Sequence, residues 1–179
     1  MLNTLRIYTD GSTNPNPGCG AYAYIILDNN NVVIRKYAMS FESTTNNRME
    51  LMPLIFALQW LRSEPVAINK HSTYDKIIIT SDSEYLILGV KGRMAKWKNN
   101  EWRSTSGKVV NIDLWKKLDD LLQVFFNIEF RLVKGHSGDN YNEMVDKLAV
   151  QERLEKKNLA EDFEYIKSIE TKQMNLFIR

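Results

Sequence analysis

The sequence predicts an α/β fold, with one five-stranded mixed sheet flanked by helices. Three observations carry this. Runs of strand-forming residues occupy 5–10, 21–28 and 32–41. The apolar period then changes to a helical one over residues 47–62. Beyond that, short apolar strand-like runs at 76–80 and 128–133 alternate with helical segments, giving the order βββαβααβα.

LRIYTD at 5–10 alternates apolar and polar side chains and meets Gly11, so it reads as a strand ending in a turn. GSTNPNPGCG at 11–20 is a Gly/Pro/Asn loop. AYAYIILD and VVIRKYAMSF follow as strands, and the three asparagines at 29–31 between them suggest a hairpin. The first three strands are therefore expected to form an antiparallel meander. Leu51, Leu54, Ile55, Leu58 and Leu61 then share a helical face. Pro53 is expected in that helix's first turn, and Ser63, Glu64 and Pro65 at its end. KIIIT at 76–80 is continuously apolar, as a buried parallel strand is. Ser81, Asp82 or Ser83 could cap the short helix after it. Trp115, Leu118, Leu121, Leu122 and Phe125 mark a second amphipathic helix, IEFRLV at 128–133 a strand, and Tyr141, Met144, Val145, Leu148 and Ala149 a last core helix. Residues 1–156 are expected to form one domain and 157–179 an extension. Six acids balance six bases over 151–179. That extension could dock on the domain or stand free of it.

With 179 residues and 44% hydrophobic content, the chain suits one packed core. No apolar run approaches a membrane span, and the N-terminus lacks the apolar centre of a signal peptide. Cys19 is the only cysteine, which excludes an internal disulfide and a cysteine-rich metal site. A reducing cytoplasm is the simplest home, and no membrane partner is expected. The net charge of +2 is uninformative, but Lys91, Arg93, Lys96, Lys98, Arg103 and Lys108 meet one acid, Glu101, within residues 91–108. Trp97 and Trp102 interrupt that stretch. Such a segment can grip phosphates and stack on bases. On charge alone, a solvated helix anchored by its indoles is the preferred reading.

Four acids carry the chemistry. Asp10 and Asp82 stand at the ends of two strands. If those strands are parallel neighbours, both carboxylates emerge at one sheet edge, where ligands bind in open α/β sheets. Glu50, in the first turn of its helix, can aim at the same place. Asp146 lies beside the buried stripe of the last helix. Singly, each has an ordinary explanation: a turn, a cap, a first-turn acid, a surface residue. Together, four carboxylates repel strongly in a partly buried cleft, and divalent cations offset such repulsion. Hard oxygen donors without clustered His or Cys favour Mg²⁺ or Mn²⁺ over zinc.

YTDGS at 8–12, TTNNRMELM at 44–52, IIITSDSEY at 77–85, VVNIDLW at 109–115, VKGHSG at 133–138 and NEMVDKLA at 142–149 occur in that order. This set closely resembles the type I ribonuclease H family, of the bacterial kind with a basic protrusion, from about Leu5 to Ala149. The resemblance implies a ribonuclease H-like fold with a five-stranded mixed sheet. It implies two Mg²⁺ ions, for which Mn²⁺ can substitute, on Asp10, Glu50, Asp82 and Asp146. It also implies cleavage of the RNA strand of an RNA/DNA hybrid, leaving 5′-phosphate and 3′-hydroxyl ends, by a monomer. His136 would carry protons or help release product. Asn16 and Asn46 would face the RNA strand, and Thr45, Lys96, Trp97 and Lys98 the DNA strand. Arg48 reads as a helix-start ion pair, and His71 is assigned no role. A catalytically silent hybrid-binding module or a junction resolvase of similar fold would be the alternatives; the intact carboxylates and VKGHSG count against them. Three features depart from the family: Glu84 replaces the usual glutamine, Arg93 an aromatic residue, and the tail beyond about residue 156 has no recognised counterpart.

Overall fold

A computed structural model describes residues 3–63 and 74–177. The strands are β1 (Thr4–Thr13), β2 (Gly18–Leu27), β3 (Val33–Thr44), β4 (Lys76–Ser81), β5 (Arg103–Ser104), β6 (Gly107–Lys108), β7 (Ile128–Leu132) and β8 (Leu159–Ala160). The helices are α1 (Asn46–Ser63), α2 (Glu84–Leu88), α3 (Met94–Asn99), α4 (Ile112–Leu122), α5 (Asn140–Glu155) and α6 (Phe163–Phe177). One π-helical turn, Gly89–Arg93, joins α2 to α3.

Among the described residues, the main sheet has the order β7-β4-β1-β2-β3-β8, and β5 with β6 makes a separate ribbon. β1, β2 and β3 pair antiparallel, as the meander requires, whereas β4 runs parallel to both β1 and β7. The sheet therefore gains one short strand over the five expected. β8 comes from the tail and pairs parallel with Ser40 and Phe41 of β3, covering an otherwise open edge. The extension thus docks rather than standing free. Among the described residues, no helix is long and apolar enough to cross a membrane.

One core lies between the sheet and α1 and α4, built on Leu5, Ile7, Met49, Leu54, Leu58 and Trp115. A smaller one lies under α5, built on Ala23, Ile25, Leu27, Val145 and Ala149. Side chains on β1 alternate between these layers, so Asp10 shares the α5 face with Tyr8 and Ser12.

Two element boundaries differ from the sequence expectation. β1 does not end at Asp10: Gly11, Ser12 and Thr13 still pair with Tyr22, Ala21 and Gly20, and the loop shrinks to residues 14–17. Its parallel pairing with β4 stops at Tyr8–Thr80, which leaves Asp10 beyond the shared strand end. Pro53 is not in a first turn but inside α1, because the helix begins at Asn46. It cannot donate to the Met49 carbonyl one turn back. At that same carbonyl, Gly11 packs so closely that a Cβ there would lie 2.5 Å from Met49 C and O. Glycine at residue 11 is what lets β1 and α1 meet. Glu64, Pro65 and His71 lie outside the described residues.

Candidate active site

Asp10 follows from β1's pleat. Its Oδ1 accepts the Gly11 backbone N–H at 2.7 Å. Burial pushes its carboxyl up to about 8, helped by the charge of Asp82, opposed by the Gly11 bond, and helped again by the charge and a hydrogen bond of Asp146. Three carboxylates from β1, the end of β4 and α5 are thus near enough to feel one another.

Asp82 sits one residue past β4, as the paired strand ends require. The loop after β7 closes over it: a Cβ on Gly135 would lie 2.8 Å from Asp82 Oδ2, so a larger residue there would push that carboxylate aside. Asp146 is partly exposed on α5, where Val145 and Ala149 face the core. His136 stands in the same loop as Gly135, highly exposed, with a left-handed φ of 53°. Its Nδ1 is 3.9 Å from Asp146 Oδ2, so it reaches the cluster's rim rather than its centre.

Glu50 is held by two hydrogen bonds. Asn46 Nδ2 donates to its Oε1 and Ser83 Oγ to its Oε2, each at 2.6 Å. Burial raises its pKa; those two bonds lower it and the charge of Asp82 raises it, leaving a net rise. Ser83 also caps α2 by accepting Leu86 N–H at 3.0 Å. Asn46 N–H in turn donates to Asn16 Oδ1 at 3.0 Å. An unbroken chain therefore runs Asn16–Asn46–Glu50–Ser83, ending beside Asp82. Thr45 starts α1, its carbonyl accepting Arg48 and Met49 N–H.

Among the described residues, no three His, Cys, Asp or Glu side chains draw together closely enough to enclose an ion. Asp82 instead lies near both Asp10 and Glu50, and Asp10 near Asp146, with Glu50 turned onto its hydrogen-bond donors. The donor chemistry nevertheless fits a hard divalent cation, since every candidate ligand is a carboxylate oxygen. Burial first, and then the charges of Asp82 and Asp146, hold Asp10's pKa high, and a cation would offset that charge.

The basic segment is less open than its sequence suggests. Trp97 packs against the core, its ring 5.3 Å from that of Trp115. Lys98 Nζ pairs with Asp119 at 2.8 Å, while Lys96 is exposed. Glu84 and Arg93 are exposed as well.

Two features escaped the sequence reading. Ser83 reads there only as a cap, although its hydroxyl also fixes Glu50. Arg48 forms the ion pair expected of it, but its burial, at 3% exposed, and its second carboxylate are missed there: it pairs with both Asp113 and Asp162. Its helical spacing to Leu51, Met52 and Ile55 on α1's buried side was the available signal.

The RNase H family model matches residues 3–153. A ribonuclease H of Pseudoalteromonas translucida is 39% identical over 166 residues, covering 92% of this chain and 99% of that one. That leaves fewer residues over than 157–179 contains, so part of the extension does have a counterpart there. A ribonuclease H of Treponema denticola is 38% identical over 154 residues, covering 82% and 95%. Among solved structures, LC9-RNase H1, a type 1 RNase H with the type 2 active-site motif, superposes with a TM-score of 0.71 at 24% identity, covering 86% of this chain and 73% of that one. RNase H1 from the halophilic archaeon Halobacterium salinarum NRC-1 gives 0.58 at 22%, covering 86% and 98%. These two show the shared fold.

Proposed function

Because the chain belongs to the ribonuclease H family, and so is an endonuclease that hydrolyses the RNA strand of RNA/DNA hybrids, we propose that Asp10, Glu50, Asp82 and Asp146 form its catalytic centre and hold two Mg²⁺ ions, replaceable by Mn²⁺. The observation that carries this assignment is that Asp10 and Asp82 both stand just past the shared end of the parallel strands β1 and β4.

When bound, such ions make water a nucleophile at neutral pH and balance charge developing on the leaving oxygen. The chain's own residues do the rest. Asn46 and Ser83 orient Glu50, and Gly135 admits Asp82 beneath the loop. His136, exposed and next to Asp146, moves a proton at its ring nitrogen or helps product leave. Asn16 and Asn46 face the RNA strand, where a 2′-hydroxyl distinguishes RNA from DNA. Thr45, Lys96, Trp97 and Lys98 face the DNA strand, with Trp97's core packing holding α3 in place. Cleavage leaves 5′-phosphate and 3′-hydroxyl ends. The enzyme works as a cytoplasmic monomer on this reading, consistent with its single free Cys19.

The test is side-by-side cleavage of labelled hybrid, duplex RNA and duplex DNA, each in Mg²⁺, Mn²⁺ and EDTA. Cleavage of the RNA strand of the hybrid alone, abolished by EDTA and restored by either ion, is the expected result. Equal cutting of duplex RNA would overturn the substrate assignment, and full activity in EDTA the metal assignment.

A further inference from the structure

The tail contributes one buried acid to the body of the molecule. Asp162, 4% exposed, precedes α6 and lies beyond the residues the family model matches. Its Oδ2 accepts Thr44 Oγ1–H at 2.8 Å and Arg48 Nε–H at 2.7 Å, and its Oδ1 accepts Arg48 Nη2–H at 2.8 Å. Thr44 is fully buried and Arg48 nearly so. On its far side, Arg48 makes a second bidentate pair, Nη1 to Asp113 Oδ1 at 3.1 Å and Nη2 to Asp113 Oδ2 at 2.9 Å. Burial would lower the Arg48 pKa, but the two carboxylates outweigh it. Breaking such a buried pair by removing one partner leaves a charge uncompensated.

What makes this more than a structural anchor is its placement. Thr44 ends β3 and Arg48 lies in the first turns of α1. Between them stand Thr45, Asn46 and Asn47. One carboxylate thus grips both ends of the short segment that presents Thr45 and Asn46. Asn46 in turn bonds Asn16 and Glu50.

We propose that Asp162 is a positioning residue for the substrate: by holding Thr44 and Arg48 together, it fixes Thr45 and Asn46 in the geometry that meets the hybrid. The tail is thereby part of the binding apparatus without touching the nucleic acid. This rests on the reading that Thr45 and Asn46 face the substrate. A loss of register between strand and helix would weaken binding far more than the chemical step, because Asp10, Asp82 and Asp146 stand on other elements and Glu50 keeps its bond from Ser83 even if that from Asn46 loosens.

The test uses the full chain. Asp162→Asn keeps the shape but removes the charge, and should raise KM for a short hybrid about fivefold with kcat within about twofold. Asp113→Asn weakens the same guanidinium without touching Thr44, so it should lose comparable thermal stability yet keep KM within about twofold. Should Asp162→Asn fail to fold, Thr44→Val, which removes only the hydroxyl, should raise KM about threefold, and Thr44→Ser should restore it. Backbone amide exchange at residues 45–47 in the substrate-free protein is read alongside, and should quicken in Asp162→Asn and Thr44→Val beyond any global change. Unchanged KM with quickened exchange would overturn the proposal by showing that this segment does not meet the hybrid. Unchanged exchange would overturn it by showing that Asp162 clamps nothing. An equal KM rise in Asp113→Asn would assign the effect to general loss of the ion pairs, and would also overturn it.

Discussion

Ser83 Oγ donates a 2.6 Å hydrogen bond to Glu50 Oε2, so the residue next to Asp82 orients the one acid of the cluster that comes from α1. The same hydroxyl accepts Leu86 N–H and starts α2. Ser83→Ala should therefore act twice. Loss of the cap should cost about 1 kcal/mol of stability, read by chemical denaturation. Loss of the bond to Glu50 removes an influence that lowers its pKa. The acidic limb of the pH–rate profile should then move to higher pH. A variant that loses stability with an unmoved limb would leave Ser83 as a cap only.

Asp10 should make the metal-free protein sensitive to pH in a direction opposite to that of salt-bridged acids. Its folded pKa is raised to about 8, against about 3.9 for an unfolded aspartate. Between those values the folded chain holds a proton that the unfolded chain releases. Stability is thus fully present below about pH 4 and falls as pH rises toward 8, by on the order of 2 kcal/mol after screening. Denaturation in EDTA at pH 5 and pH 8 reads this directly. Asp10→Asn should flatten the difference, be the more stable protein at pH 8, and have no cleavage activity. Mg²⁺ should restore the wild type at pH 8 by binding the folded state. Identical pH dependence in the two proteins would sink the idea that Asp10 sits in a repulsive cluster.

The two lysines of α3 should not be equivalent. Both are exposed, but Lys98 is already paired with Asp119. Each phosphate contact contributes close to one unit to the slope of log affinity against log salt. Lys96→Ala should flatten that slope by about one. Lys98→Ala should flatten it less and unsettle α3. Hybrid affinity at several salt concentrations, measured in Ca²⁺, separates the two. Equal flattening would mean that Lys98 leaves Asp119 for phosphate.

Local pattern makes some of this legible and contact at a distance hides the rest. The short apolar run before Asp82 marks a parallel central strand, which follows from period alone. The grouping of the four carboxylates is implied by the order of family-like motifs rather than by any local pattern. The length of β1 follows from neither, because Gly11 looks like a turn until α1 is seen to press against it at Met49. Arg48's two carboxylates lie 65 and 114 residues away, and no local rule pairs them. The left-handed Glu101 and Trp102 that shape the turn before β5 are likewise invisible to propensity. The tail's few apolar residues give no hint that its foothold is a two-residue strand and one buried acid.

Glu84 is expected to limit how freely the hybrid approaches. It is the first residue of α2 and exposed, and the adjacent Ser83 holds Glu50. As a first-turn acid it is favoured by the helix dipole, so its presence costs the fold nothing. Toward a phosphate strand, however, it adds negative charge beside four carboxylates. Two opposing effects follow. Repulsion weakens hybrid binding, and attraction of cations strengthens metal binding. Exposure and physiological salt limit both, since the screening length is about 8 Å. The first should dominate if, as proposed, the strand passes the surface where Glu84 stands and four other carboxylates hold the cations. Glu84→Gln should tighten hybrid binding about threefold in Ca²⁺ and lower KM in Mg²⁺ by a similar factor, an effect within the range of exposed charge pairs. It should also raise slightly the Mg²⁺ concentration for half-maximal activity. The gain should fade at high salt, as a screened interaction must. Equal or weaker binding by the glutamine form at low salt would show that Glu84 does not repel the substrate.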